Sequence, residues 1–269
     1  MTDLPALAIA GAAGRMGREL LAGATAHGFA LAGATEAPAS KAVGKPLSDL
    51  SMGAPAAVSV VTDPVAAAAE ARVWIDFTSP AATLVALEAL RHTPVSGVVI
   101  GTTGFSDSEL EAIERAAENF AIVKAGNFSL GVAMLCALVE TAAVRLGPEW
   151  DIEVLETHHR RKVDAPSGTA LMVGEAAAKG RGAPLETLKA APYDGPDAPR
   201  EEGQIGFSVR RAGGVVGEHE ALFGSEKELL RLSHTALDRA VFVDGALQAA
   251  RWVSGKAPGL YSMTDVLDL

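Results

Sequence analysis

The sequence predicts an α/β protein in two domains, a doubly wound parallel sheet followed by an α+β unit. Three observations predict it. Short apolar runs alternate with helical stretches from Leu7 to Val123, the pattern of a parallel sheet covered by helices on both faces. A glycine-rich turn, Gly11-Ala12-Ala13-Gly14-Arg15-Met16-Gly17, joins the first run to the first helix. After Asn127 the rhythm changes to one long apolar helix and then strand-like runs around a Gly-Gly turn.

Leu7–Ala10 is the first strand, an apolar run ending in glycines. Arg18–Ala26 reads as a helix with Leu20 and Leu21 inward. Ala30–Thr35, Val58–Val61 and Val73–Phe77 are the next strands, each bounded by turn residues. Pro80–Leu90 reads as a helix, Val95–Ile100 as a strand, and Ser106–Glu118 as a helix opened by Ser106 and Asp107. Ala121–Val123 ends the alternation. Leu130–Leu146 is then a helix, Ile152–Glu156 a strand and Thr169–Lys179 a helix. Ala183–Glu202, rich in Gly, Pro and charge, reads as a mobile loop. Ile205–Arg211, Val215–Phe223 and Leu229–Ser233 read as strands of an antiparallel sheet, with Gly213-Gly214 as a hairpin turn between the first two. The last helix falls around Asp238–Val253, before Ser254-Gly255.

The formal net charge of −10 argues against a nucleic-acid or membrane-surface binder, because attraction to phosphate needs net or patterned positive charge. Cys136 is the only cysteine, set in the apolar run Met134–Val139. Neither an intrachain disulfide nor a cysteine metal cluster can form, and a buried small hydrophobe is expected there. No charge-free stretch has the ~20 strongly apolar residues of a membrane span. Met1–Pro5 lacks the basic start of a secretory signal, so the cytoplasm is the expected location.

The spacing G-x-x-G-x-x-G after a strand and before a helix suits a dinucleotide. Glycine lets the backbone approach a pyrophosphate, and the helix N-terminus offers N–H groups and partial positive charge. Glu36 ends the second strand, where an acid can accept both ribose hydroxyls. Ala37 follows it, and Glu36 would repel a 2′-phosphate; Arg15 and Lys41 are the only cations nearby. NADH is therefore expected to serve at least as well as NADPH. Phe77-Thr78-Ser79-Pro80, Gly101-Thr102-Thr103-Gly104 and Ala125-Gly126-Asn127-Phe128 follow other strands, at the carboxyl edge where open sheets bind ligands.

His158-His159-Arg160-Arg161-Lys162 concentrates three fixed positive charges and two histidines in an acidic chain. It reads either as a solvated basic turn or as an anion site where histidine moves a proton near neutral pH. The helix start at Ser167-Gly168-Thr169 offers N–H groups and hydroxyls as a second carboxylate site. Two anion sites suit a small dicarboxylate. Asp164 could cap that helix or orient Lys162. His27 and His92, next to helix ends, read as structural, while His219 and His234 on strands are left open.

With Glu156 in front, this stretch resembles the E-x-H-H-x-x-K-x-D-x-P-S-G-T-A signature of the dihydrodipicolinate reductase family. Asp76-Phe77-Thr78, Asn127-Phe128-Ser129, Gly217-Glu218-His219 and Gly259-Leu260-Tyr261 agree in order, so the resemblance covers nearly the whole chain. It implies a Rossmann-type domain over 1–128 and 239–269, with the last helix returning to it, and a substrate-binding and oligomerisation domain over 129–238. It implies His158 as proton donor and acceptor and Lys162 as second donor. His159, Gly168 and Thr169 would bind substrate. Gly11, Ala12, Ala13, Gly14, Arg15, Met16, Glu36, Gly101, Thr102, Thr103, Ala125, Gly126, Asn127, Phe128 and Arg239 would bind the cofactor. Some members carry Arg where this chain has Ala37, which puts NADPH preference in doubt.

The implied reaction is NAD(P)H-dependent reduction of (2S,4S)-4-hydroxy-2,3,4,5-tetrahydrodipicolinate to tetrahydrodipicolinate with loss of water, in lysine and diaminopimelate biosynthesis. It needs neither a metal nor a covalent nucleophile. A homotetramer joined through second-domain sheets is implied as well. The alternatives are another two-domain NAD(P)-dependent dehydrogenase or a non-catalytic dinucleotide sensor. An aspartate-semialdehyde type would need a reactive cysteine in a loop, a sugar type a Glu-Lys-Pro tripeptide, and a sensor has no use for the His/Lys pair.

Overall fold

A computed structural model describes residues 4–194 and 196–269. The expectation on the N-terminal signal falls partly on Met1–Asp3, and the loop Ala183–Glu202 includes Gly195; those residues lie outside the described ones. The rest divides into two compact units, one running to Phe128 and resuming at Ala240–Leu269, the other Ser129–Arg239.

The first unit runs β1 (Leu7–Ala10), α1 (Arg15–Ala26), β2 (Leu31–Thr35), β3 (Val60–Val61), α2 (Pro64–Ala68), β4 (Val73–Asp76), α3 (Pro80–Leu90), β5 (Gly97–Ile100), α4 (Asp107–Ala116) and β6 (Ala121–Lys124). The second runs α5 (Leu130–Leu146), β7 (Asp151–His158), α6 (Gly168–Gly180), α7 (Leu185–Leu188), β8 (Ile205–Arg211), β9 (Gly217–Gly224) and β10 (Leu229–Ala236). The chain then returns to the first unit with α8 (Ala240–Val253), β11 (Gly259–Tyr261) and α9 (Met263–Val266).

The first sheet has seven strands in the order β11-β6-β5-β4-β1-β2-β3, and all its pairs are parallel. Its inner strands are buried at every position and apolar except at Asp76, as expected of strands covered on both faces. Trp74, Val98, Ile100 and Ile122 pack with Leu87, Leu90 and Ile113 of α3 and α4 in one core. Helices α1 and α8 pair with each other, and α8 also lies against β4, β5 and β6. This is the doubly wound architecture expected, with the last helix returned to the first sheet.

The second sheet corrects one expectation. It is mixed, not antiparallel: its order is β10-β9-β7-β8, and β7 pairs with β8 in parallel. Helix α6 carries the chain from β7 to β8, and such a crossover allows parallel pairing. Gly213-Gly214 is consequently no hairpin turn, because β7 lies between β8 and β9. One core holds the unit together, with Leu135 and Val139 of α5 and Val173 and Ala177 of α6 against Ile152, Val154, Ile205 and Phe223 of the sheet.

Smaller differences have local causes. Helix α1 begins at Arg15, not Arg18, because Gly14 is itself the N-cap. Helix α2, of five residues, is too short to show a period, although Asp63 caps it through Val65 N and Pro64 opens it. The short elements α7, β11 and α9 lack a period long enough to read. Strand β7 continues to His158, so the basic run starts on the strand. Cys136 is only half-buried, though its surroundings push the thiol up to about 11.

Candidate active site

In the first sheet the strand order reverses between β1 and β4, and a crevice opens at such a switch point. A cavity of about 570 Å³ lies there, lined by Gly11, Glu36, Ala37, Asp76 and Thr78 among others. Gly11 takes a φ of +64°, and a Cβ on Gly17 would stand 2.2 Å from the Gly11 carbonyl oxygen. Only glycines allow this turn and this approach of α1 to β1. Gly14 brings no side-chain cap to α1, so its first-turn N–H groups meet no capping side chain.

Glu36 sits at the wall of this cavity. Its Oε1 accepts from Ala13 N at 2.8 Å and its Oε2 from Ala37 N at 3.2 Å. The carboxylate is thus fixed by backbone donors, one of them in the glycine turn. A glycine cradle that a side chain would fill, next to a fixed acid, fits a dinucleotide.

The buried Asp76 ties two of the expected loops. Its Oδ1 accepts from Thr78 N at 3.0 Å, from Thr78 Oγ1 at 2.6 Å and from Thr102 Oγ1 at 3.3 Å. The Thr102 hydroxyl also accepts from Thr78 N and Thr83 Oγ1. Thr102 and Phe128 are both buried, and the Phe128 ring packs 5.3 Å from that of Phe77. These two can offer a ligand only their main chain, a restriction the sequence does not show.

In the second unit, Glu156 and His158 close β7. Glu156 is 1% exposed and has four donors. Arg211 Nη2 and Ser167 N reach Oε1 at 2.9 and 3.0 Å, while Arg211 Nη1 reaches Oε2 at 2.8 Å. His158 Nδ1 completes the set at 2.5 Å from Oε2. Burial by itself would raise this carboxyl, but the hydrogen bonds from Arg211 and His158 reverse that and hold it below its usual value. For His158 burial is the largest effect and lowers it; Glu156 pulls it back up, and Lys162 and Arg211 add to the lowering.

Lys162 Nζ pairs with Asp164 Oδ2 at 2.9 Å. Ser167 is the N-cap of α6, accepting from Ala170 N at 3.1 Å, so Asp164 holds Lys162 and does not cap. The Ser167 hydroxyl also meets His219 Nε2 at 3.1 Å and is buried. It is unavailable to a ligand, contrary to the expectation of hydroxyls at this helix start. Gly168 is exposed and Thr169 half-buried in the first turn of α6. His159 is half-buried with Arg239 Nη2 3.5 Å from its Nε2, which places Arg239 beside a substrate candidate. His219 stands edge-on to His158, 5.0 Å between ring centres. Burial first, then the neighbouring His158, lowers it to about 4. His234 Nε2 lies 3.3 Å from Ser129 Oγ.

The roles of Glu156, Arg211 and His219 escape the sequence. Glu156 heads the signature, but only the parallel register that sets His158 opposite Arg211 reveals its partner. Among the described residues no helix is long and apolar enough to cross a membrane.

The family model described as dihydrodipicolinate reductase, N-terminus, matches residues 6–128, and its C-terminus counterpart matches 131–267. A protein of Cereibacter sphaeroides called 4-hydroxy-tetrahydrodipicolinate reductase is 48% identical over 270 residues, covering 100% of both chains. One of the same name from Caulobacter vibrioides is 49% identical over 262 residues, covering 97% of this chain and 96% of its own. Among solved structures, a dipicolinate-bound dihydrodipicolinate reductase from Paenisporosarcina sp. TG-14 is similar at a TM-score of 0.77 and 25% identity, over 98% of this chain and 99% of that one. With both family models matched and full-length relatives near half identity, the chain belongs to the dihydrodipicolinate reductase family.

Proposed function

We propose that the protein reduces 4-hydroxy-tetrahydrodipicolinate to tetrahydrodipicolinate with loss of water, as an oxidoreductase of lysine and diaminopimelate biosynthesis. One observation carries the mechanism: His158, held through Nδ1 by a buried, four-bonded Glu156, in the same loop system as Lys162. The name shared by full-length relatives supports the substrate.

When bound, the reduced nicotinamide supplies a hydride to the unsaturated ring left by loss of water. The protein's task is then to bind two carboxylates and deliver a proton. With Nδ1 engaged by Glu156, His158 exchanges its proton through Nε2. Lys162, released from Asp164, donates the second proton or steadies developing negative charge. His159, Gly168 and Thr169 hold a carboxylate at the start of α6, where backbone N–H groups and the helix dipole favour an anion. The dipicolinate-bound relative supports a ligand with two carboxylates.

Gly11, Ala12, Ala13, Gly14, Arg15 and Met16 would hold the cofactor, with Glu36 for its ribose and the main chain of Gly101–Thr103 and Ala125–Phe128 as further contacts. NADH serves at least as well as NADPH, supported by the fixed Glu36 carboxylate and the exposed Ala37 beside it. Residues 1–128 and 239–269 form the dinucleotide domain and 129–238 the substrate and oligomerisation domain. The protein is a cytoplasmic homotetramer built on the second sheet, which exposes Val209, Leu229 and Leu230; sedimentation at micromolar concentration tests the subunit count.

The deciding experiment follows NADH oxidation while a synthase supplies the substrate. His158→Gln and Lys162→Ala should each lower kcat by roughly a hundredfold, the usual scale of general-acid catalysis, with NADH affinity unchanged. Near-normal turnover in both variants rejects the assignment. NADH binding without turnover in the unmodified protein leaves a sensor.

A further inference from the structure

We propose that Arg211 is a positioning residue for both proton-handling side chains, setting His158 through Glu156 and Lys162 through the main chain of Asp164. The proposal rests on the reading of His158 as the acid, and its test is arranged so that the two can fail separately.

Arg211 ends β8 and lies opposite His158 in the parallel register. Its guanidinium makes two parallel bonds to Glu156, and Nη2 donates as well to the Asp164 carbonyl oxygen at 2.6 Å. One planar fork therefore grips the carboxylate under His158 and the loop that bears the Lys162–Asp164 pair. Glu156 cannot turn without breaking several bonds, because both its oxygens already take two donors each.

The chemical consequence follows from the acceptor count. An ionised carboxylate only accepts, so His158 Nδ1 must carry a proton. The neutral ring is then the Nδ1–H tautomer, and the proton that comes and goes sits on Nε2. If the carboxylate swings, either nitrogen can be protonated and the ring loses its fixed aim. Lysine cannot replace the fork, being a point charge on a flexible stem. The charged or titratable groups around His158 are Glu156 on its own strand, Lys162 in the loop, Arg211 on β8 and His219 on β9.

Arg211→Lys and Arg211→Gln separate geometry from charge. Arg211→Lys keeps a cation beside Glu156 and should lower kcat about tenfold or more through lost orientation, leaving NADH affinity within about twofold because the glycine cradle is untouched. Its His158 ring should show mixed tautomers in imidazole nitrogen-15 spectra, a readout independent of turnover. Arg211→Gln also removes a charge that opposes protonation of His158. The same variant frees the Glu156 carboxylate that favours protonation, so the two effects oppose each other. The readout is again the tautomer: its His158 ring should show mixed tautomers as in Arg211→Lys, which a loss confined to folding would not cause. If Arg211→Gln does not fold, Arg211→Lys decides alone. Wild-type kcat in Arg211→Lys, or a His158 ring still wholly in the Nδ1–H form in either folded variant, overturns the proposal. Undiminished turnover in His158→Gln would instead remove the reading beneath it.

Discussion

His158 points Nδ1 at Glu156 Oε2 from 2.5 Å, and the same carboxylate holds both terminal nitrogens of Arg211. The pairing explains how an acid residue stays buried at the end of β7. A charge removed from water is tolerated when it is paired and its remaining lone pairs are filled. It also makes the imidazole asymmetric, with Nδ1 engaged by Glu156 and Nε2 outside that bond.

Glu156→Gln should therefore be costly in two measurable ways. The amide brings donors toward the donors of Arg211 and His158, and Arg211 loses its counter-charge; breaking a buried pair on one side costs about 3 kcal/mol or more, seen as a lower urea midpoint. The glutamate also raises His158 against the effect of burial. Its loss should lower the pKa of the acid and move the alkaline limb of kcat to lower pH. A limb that stays in place would mean His158 is not the group that titrates.

His219 should make the protein acid-sensitive. The folded state takes its proton only near 4, against 6.5 for the free side chain. Between these values the unfolded chain binds more protons, so the contribution to stability is complete above about pH 6.5 and declines as pH falls toward 4. The full effect is about 3 kcal/mol. Urea unfolding at pH 7.5 and pH 5 should show a smaller difference between the two pH values in His219→Gln than in the wild type, and an equal difference would contradict the origin assigned to it.

The first unit was legible because its signals are local. Alternation, the glycine spacing and Glu36 all lie within short windows, and the structure brings Glu36 against the glycine turn. The second unit was legible in its helices but not in its pairing. Neighbouring strands in sequence suggest hairpins, whereas β7 lies between β8 and β9. The partners of His158 share that difficulty: Arg211 is distant in sequence and looks like an ordinary basic strand end. The sequence offers the Ser167 hydroxyl to a ligand because its partner His219 lies on β9, far along the chain. Side chains joined only by tertiary register leave no mark on a local pattern.

Gly17→Ala tests the cradle itself. Its Cβ would meet the Gly11 carbonyl oxygen at 2.2 Å and Ala12 main chain at 2.7 Å, and backbone cannot yield as a side-chain tip can. Helix α1 must move off β1, with a stability loss of about 1–3 kcal/mol. NADH should bind at least about tenfold more weakly, since the helix N-terminus would no longer face the pyrophosphate correctly. Titration of NADH fluorescence with the folded variant measures this, and unchanged affinity would place the dinucleotide elsewhere.

Ala37→Arg tests whether Glu36 and its neighbour govern the use of NADPH. Glu36 is held by Ala13 N and Ala37 N, so its charge cannot swing away from an incoming 2′-phosphate. Ala37 is exposed beside it, and an arginine there has room to reach into solvent and turn back on the phosphate. A fork of guanidinium donors on a phosphate is a strong charge-assisted contact, enough to raise kcat/KM for NADPH about tenfold. NADH lacks that phosphate, so its kcat/KM should change far less, which excludes a general effect on the fold. If neither cofactor responds, the adenosine ribose does not lie at the end of β2, and Glu36 and its neighbour do not discriminate between the cofactors.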